Sequence, residues 1–109
     1  MATELNVQPI DLNGESITFS PADSAGNYFY NTGKEMLVVK NNGTSNITVT
    51  VDSVQPCNYG FDHDLNITVG AGETKYIGTF PVSRFNDENR HVNISYSDAT
   101  NIEVAVIKS

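Results

Sequence analysis

The sequence predicts an all-β domain, and three observations carry this prediction. Apolar and polar side chains alternate along several segments, turn-forming residues separate these segments at regular intervals, and no segment repeats its apolar residues with a helical period. Because successive side chains of a strand point to opposite faces of a sheet, each alternating segment offers one apolar face to a core. About seven strands at ~8–12-residue spacing indicate an antiparallel β-sandwich, immunoglobulin-like or jelly-roll-like, with little or no helix.

Seven segments supply the predicted strands, and most of their apolar residues are β-branched or aromatic, the types that are enriched in strands. In chain order they are Ile17–Phe19, Met36–Val39, Ile47–Val51, Leu65–Val69, Tyr76–Phe80, Val92–Tyr96 and Ile102–Val106. The run Met36–Val39 is apolar throughout, which favours a strand buried on both faces. The interval Asn41–Ser45 is typical of a hairpin turn.

The N-terminal segment departs from this alternation. Pro9 and the Asn13-Gly14 pair break any strand early, so we expect residues 1–14 to form a disordered terminus or an arm lying on a partner. Residues 15–109 then form a single sandwich domain. If the segment is an arm, its apolar side chains are the candidates for contact with the partner: Leu5, Val7 and Ile10.

The most distinctive stretch is Phe80–Asp87, where two phenylalanines flank a proline turn and an arginine. Within it, Val82–Phe85 is expected to form one short helical turn. The rings of Phe80 and Phe85 could plug one end of the sandwich, which is the interpretation we favour. Alternatively, Phe85 could anchor in a partner while Arg84 binds a carboxylate bidentately.

The charge balance argues against nucleic acids and anionic membranes as ligands. The net charge is −7, from six basic and thirteen acidic residues, and the basic residues are scattered one at a time. Nucleic-acid-binding proteins instead gather Lys and Arg to neutralise phosphates. No apolar stretch approaches the ~20 residues of a membrane helix, and the N-terminus lacks a secretory signal, so we expect synthesis in the cytoplasm.

No pattern in the sequence indicates catalysis. A hydrolytic triad needs a nucleophile, a base and an orienting acid, yet the two histidines, His63 and His91, stand in no such motif. The cluster Asp62-His63-Asp64 is interpreted as a solvated loop rather than a metal site, because a calcium site needs about six oxygen ligands. The single cysteine, Cys57, is expected to be an apolar thiol. We therefore predict a protein that is not an enzyme and has no cofactor or metal ion.

Seven segments together resemble a group of short phage and prophage structural proteins. They are Leu37–Asn41, Ile47–Val51, Gly72–Thr74, Ile77–Pro81, Arg84–Asp87, Val92–Ser97 and Ile102–Ile107. The likeness extends over residues 15–107, and Gly78–Asp87 is its most specific part. Where such proteins have an assigned role, it is head decoration, so the resemblance implies a virion component on the capsid surface. The implied partner is the major capsid protein, bound by monomers or by trimers at three-fold positions. The resemblance brings no catalytic motif.

A second hypothesis is a host- or glycan-binding module on the virion or cell surface. The adjacent aromatic residues Tyr28, Phe29 and Tyr30 motivate it, because aromatic rings can form a platform for sugars. The simpler interpretation is that these residues belong to an edge strand that contributes aromatic rings to the core.

Overall fold

A computed structural model describes residues 2–10, 14, 16–53 and 64–108. It confirms the all-β prediction, because the described residues form two β-sheets packed together and only one helical turn. The strands are β1 (Thr3–Glu4), β2 (Val7–Pro9), β3 (Ser20–Pro21), β4 (Asn27–Tyr30), β5 (Glu35–Asn41), β6 (Ile47–Val51), β7 (Leu65–Val69), β8 (Thr74–Ile77), β9 (His91–Tyr96) and β10 (Ile102–Lys108), and the helical turn is α1 (Val82–Phe85). The sequence also marks Gln55–Asp64 as the longest irregular stretch within the domain, and all of it except Asp64 lies outside the described residues.

Both sheets are mixed rather than purely antiparallel. Sheet I has the order β1-β4-β9-β6-β7, and sheet II has the order β2-β10-β5-β8, with β3 also paired to β10. The pairs β1–β4 and β2–β10 are parallel, whereas the other described pairs are antiparallel. The predicted antiparallel arrangement therefore describes the body of the sandwich. The strand count rises from about seven to ten because very short strands carry too few residues to show an alternation.

Two predicted strands need correction. Residues Ile17–Phe19 are not a strand; they lie over the outer face of sheet II, where Ile17 and Phe19 pack on apolar side chains. The predicted strand Tyr76–Phe80 ends at Ile77, because the next residue, Gly78, has a φ of +140°. A Cβ atom at Gly78 would also come within 3.1 Å of the Glu35 carbonyl oxygen.

The main core lies between the two sheets and is closed at one end by phenylalanine rings. Phe29, Phe80 and Phe85 are buried, with ring centroids 5.7 Å apart for the first pair and 5.5 Å for the second. The plug interpretation of Phe80 and Phe85 is thus confirmed, as is the predicted helical turn Val82–Phe85. Edge-to-face contacts of this kind add to the stabilisation that burial of the rings provides.

Sheet II is apolar on its outer face as well. Val38, Ala105 and Ile107 are buried there beneath Ile17, Phe19 and Met36, and together they form a second, smaller core. We call residues 16–19, which cover this face, the strap, and the side chain of Gln8 holds the strap in place. Its amide donates a hydrogen bond to the Thr18 carbonyl oxygen (2.8 Å) and accepts one from the Thr18 N–H (2.9 Å). Met36–Val39 is therefore buried on both faces, apart from the half-buried Met36, as its continuous apolar character predicts.

The N-terminal segment pairs with both sheets. β1 joins β4 of sheet I, and three residues later β2 joins β10 of sheet II. Leu5 lies at the crossing, only 4% exposed, and its N–H donates to the Tyr28 carbonyl oxygen at 2.7 Å. Residues 2–10 thus close one side of the sandwich in this structure, where the sequence suggested a disordered terminus or an arm on a partner.

The other side of the sandwich carries the outermost strands β7 and β8, which within the described residues pair on one side only. Lys75 of β8 points inward between the sheets, and its Nζ donates to the Thr68 carbonyl oxygen of β7 at 2.7 Å. An inward-pointing charge on an edge strand is a known protection against edge-to-edge association. Lys75 therefore links the two sheets and protects their open edge against association with other chains.

Glu35 is a buried carboxylate that organises the loop between β4 and β5. It is 1% exposed, and its Oε1 accepts hydrogen bonds from the N–H groups of Thr32 (2.7 Å) and Lys34 (3.1 Å). The Thr32 hydroxyl donates to both carboxylate oxygens. Burial acts to raise the pKa of Glu35, but these hydrogen bonds outweigh burial, and the pKa falls below the ordinary glutamate value.

Replacing Leu5 by Ala should lower the free energy of unfolding by about 2–5 kcal/mol, because it opens a cavity at the crossing between the sheets. The matched control is Ile10→Ala: Ile10 is 36% exposed, so this change should cost less than about 1 kcal/mol. Urea denaturation followed by circular dichroism measures both variants. Equally small effects of the two substitutions would contradict the burial of Leu5.

Replacing Glu35 by Gln should lower the free energy of unfolding by about 1–3 kcal/mol at about pH 7, because one acceptor oxygen and its charge are lost. Since the folded-state pKa is lowered, the carboxylate stabilises the fold above its unfolded pKa, and this contribution disappears as the pH falls through the folded pKa. The difference between wild type and Glu35→Gln should therefore shrink in the acid range, as the pH falls below the ordinary glutamate value of 4.5 towards the lower folded-state pKa. Urea midpoints across that range provide the measurement, and a difference that stays constant with pH would refute this role.

Replacing Lys75 by Met should increase self-association, because the edge loses its inward-pointing charge while the side chain keeps its length. Lys40→Met is the matched control, since it removes the same charge from an exposed position of the interior strand β5 rather than from an edge strand. Sedimentation velocity at rising protein concentration should show larger species for Lys75→Met only. Identical behaviour of the two variants would rule out a protective role of Lys75.

Candidate functional site

Hydrogen bonds from the side-chain amides of the buried Asn31 and the half-buried Asn86 link the connecting segments at one end of the sandwich. Asn31 donates from its Nδ2 to the Phe80 carbonyl oxygen (2.9 Å) and to Oδ1 of Asn86 (2.7 Å), and Asn86 donates back to the Asn31 carbonyl oxygen (2.9 Å). The Asn31 N–H also donates to the Arg90 carbonyl oxygen at 3.0 Å. We call this surface, formed by residues 31–34, α1, residues 87–90 and the ends of β2 and β10, the loop end.

The loop end gathers most of the large apolar side chains that the described residues expose. Of four such side chains, Ile10 (36% exposed), Tyr30 (42%) and Val82 (46%) lie here, and we call these three the apolar rim. The fourth, Tyr76, lies on the outer face of sheet II. Because three of the four belong to segments that meet at this end of the sandwich, the loop end is a candidate docking surface.

Charged residues also lie at the loop end. Lys34, Glu88, Arg90 and Lys108 are all exposed. The Nη1 of Arg90 donates to the Tyr30 hydroxyl at 3.3 Å, and this contact raises the pKa of the already basic guanidinium. A mixed polar border around aromatic and aliphatic groups is typical of protein interfaces.

The five sequence-predicted partner residues fall into two groups. Leu5 and Phe85 belong to the core, and Val7 is half-buried against it, so these side chains stabilise the fold. Ile10 and Arg84 lie at the loop end, where the Arg84 guanidinium stacks 4.7 Å from the centroid of the Phe85 ring. Of the exposed apolar residues at the loop end, the prediction named Ile10 but not Tyr30 or Val82.

A shallow, open depression of about 380 Å³ lies on the outer face of sheet I, and we call it the polar hollow because most of the residues that line it are polar. It is lined by Ala2, Tyr28, Asp87, Asn89, His91 and Asn93. Antiparallel pairing of β4 with β9 brings Tyr28 opposite Asn93, and the rings of Tyr28 and His91 contact each other with centroids 4.8 Å apart. Neither pairing partner is apparent from the sequence, because alternation identifies the polar face of a strand but not its neighbour in the sheet.

Asp87 is fixed within this hollow by three hydrogen bonds. Its Oδ1 accepts from the N–H groups of Asn89 (2.8 Å) and His91 (3.0 Å), and its Oδ2 accepts from the Nδ2 of Asn93 (3.0 Å). Burial acts to raise the pKa of Asp87, but the hydrogen bonds from Asn93, His91 and Asn89, with the nearby imidazole, lower it overall. The carboxylate is therefore ionised and held in one orientation.

The adjacent residues Tyr28, Phe29 and Tyr30, which suggested a sugar-binding platform, point to two different faces of sheet I. Phe29 is buried in the core, whereas Tyr28 and Tyr30 point to the outer face of sheet I. β4 lies next to the two-residue edge strand β1. The run therefore contributes one ring to the core and two to the surface.

Of Cys57 and the cluster Asp62-His63-Asp64, only Asp64 belongs to the described residues. Cys57, Asp62 and His63 lie outside the described residues, while Asp64 accepts a hydrogen bond from the Ser53 N–H at 2.9 Å. Within the described residues, no three His, Cys, Asp or Glu side chains gather as metal ligands would. The same part of the chain contains no helix that is long and apolar enough to cross a membrane.

Comparison of the chain with protein-family models, curated proteins and solved structures found no match.

Proposed function

We propose that the protein is a non-enzymatic structural component of a virion, a decoration protein that binds the outer surface of a phage head and stabilises it. The resemblance to short phage structural proteins over residues 15–107 motivates the class. The structural observation that supports the proposal is the apolar rim of Ile10, Tyr30 and Val82 at the loop end.

The body of the molecule suits a protein that must hold a lattice together. The N-terminal segment pairs with both sheets, and no buried polar side-chain atom of the described residues lacks a hydrogen-bond partner. Such an interior resists local opening, which is the property that a stabilising element of a capsid requires. An inward-pointing Lys75 limits self-pairing of the open edge, which keeps the free protein available for the capsid.

The loop end has the ordered backbone that a docking surface requires. Asn31 and Asn86 link its segments by reciprocal hydrogen bonds, so the apolar rim is presented by a fixed backbone. A surface that is ordered before binding loses less conformational entropy on association. In this proposal the major capsid protein supplies the complementary apolar pocket, and the protein binds as monomers or as trimers that follow the capsid symmetry.

The proposal predicts that purified virions of the phage that encodes the chain contain it in a fixed ratio to the major capsid protein. Quantitative mass spectrometry of the virions measures this ratio. Absence of the chain from virions would contradict the proposed function, and a few copies per particle would indicate a tail or neck component.

The docking surface is tested by adding purified variants to heads that lack the protein. Tyr30→Ser and Val82→Ser should each weaken binding by about tenfold or more, because apolar anchors dominate interface energies. Tyr76→Ser is the matched control, since Tyr76 is 60% exposed but lies outside the apolar rim. Loss of binding by Tyr76→Ser alone would place the contact on sheet II and contradict docking through the loop end.

A further inference from the structure

We propose that the polar hollow on the outer face of sheet I is a binding site for a neutral saccharide. The hollow is a shallow depression of about 380 Å³ that is open to solvent, and it is lined by an aromatic ring, an imidazole, a carboxylate and two amides. This inference is independent of the capsid proposal, because the hollow and the apolar rim involve different side chains.

The first argument is that Asp87 is already oriented to accept hydrogen bonds from a ligand. An ionised carboxylate offers about four acceptor sites, of which the N–H groups of Asn89 and His91 and the Nδ2 of Asn93 occupy three. One acceptor position is left for a hydroxyl group. Hydrogen bonds to ionised groups are stronger than those between neutral groups, so this position favours a ligand with hydroxyl donors.

The second argument is that donors and acceptors remain beside Asp87. Within the described part of the chain, no protein group bonds to the side-chain amide of Asn89 or to the Oδ1 of Asn93. An amide presents an NH₂ donor and a carbonyl acceptor close together. Vicinal hydroxyl groups of a sugar present the same combination, so each amide can pair with two neighbouring hydroxyls.

The third argument is the aromatic ring of Tyr28, which also lines the hollow. Tyr28 is half-buried, and the tilted contact with His91 holds its ring in place on the sheet. An aromatic ring packs well against the C–H groups of a sugar ring, and a tyrosine adds a hydroxyl at its polar end. The hollow thus offers an apolar ring surface beside polar groups. A saccharide has the matching combination of apolar C–H groups and hydroxyl groups.

Other ligand classes fit this chemistry less well. The ionised Asp87 repels anions, and the net charge of −7 disfavours nucleic acids. A tightly held metal ion needs more ligands than Asp87 and His91 provide, and no third metal-ligating side chain joins them within the described residues. A neutral polyhydroxyl compound satisfies the remaining groups without these penalties.

The test is a titration of the isolated, ¹⁵N-labelled protein, followed by two-dimensional amide NMR spectra. The probes are the methyl glycosides of glucose, galactose, mannose and N-acetylglucosamine, with sodium glucuronate and calcium chloride as separate arms. We expect at least one neutral glycoside to shift the amides of Tyr28, Asn89, His91 and Asn93 together. No shift with any neutral glycoside, or larger shifts with glucuronate or calcium than with all of them, would overturn the proposal.

Asn89→Ala tests the role of the hollow without disturbing the fold, because only the Asn89 backbone N–H bonds to Asp87. It should raise the dissociation constant of the bound glycoside by about 3- to 10-fold. The control is Ser95→Ala, an exposed position on the same face outside the hollow, which should leave the constant unchanged. Equal affinity of wild type and Asn89→Ala would overturn the assignment. No heads are present in this experiment, so its outcome does not depend on the decoration proposal.

Discussion

The passage of the N-terminal segment from one sheet to the other is the constraint on which the rest of the structure depends. β1 completes sheet I, β2 completes sheet II, and Leu5 fills the space between them. Without this segment, β4 would expose a free edge and β10 would expose the part of its edge that β3 does not cover, and unpaired backbone groups at an edge invite association with other chains. The crossing also positions Gln8, which clamps the 16–19 strap over the second core. One short segment therefore closes one side of the sandwich, covers an apolar face and contributes to the main core.

Buried polar side chains fix the loops in the same way that apolar ones fix the sheets. The carboxylate of Glu35 replaces missing backbone partners for the N–H groups of Thr32 and Lys34. At the opposite end, Asn41 donates to the carbonyl oxygens of Ser45 and Val69 and so connects the two sheets. Because an unpaired buried polar group is costly, each of these residues specifies one loop conformation. The loop end can therefore present its apolar rim, and the turn before β9 can hold Asp87, on a defined backbone.

The sequence predicts the body of the fold well because alternation and turn residues act locally. Segments such as Ile47–Val51 and Ile102–Lys108 are long enough to display a period of two, and Pro81 correctly marks the start of a helical turn. The three short strands β1–β3 are stabilised by their neighbours rather than by their own residues, so no local pattern reveals them. Ile17–Phe19 has the composition of a strand, yet its apolar residues cover a sheet face instead. The polar hollow escaped prediction because it depends on which strand lies beside β4, and pairing between distant segments leaves no trace in a single sequence.

The proposed decoration role and the proposed saccharide site both depend on an ordered sandwich, and the sandwich depends on the N-terminal crossing. Amide hydrogen exchange monitored by NMR tests the crossing most directly. The Leu5 N–H, which donates to the Tyr28 carbonyl oxygen, should exchange as slowly as the amides of the central strand β5, since both then require opening of the sandwich. Exchange of Leu5 at the rate of an unstructured terminus would show that residues 2–10 form a loose arm and would contradict the account.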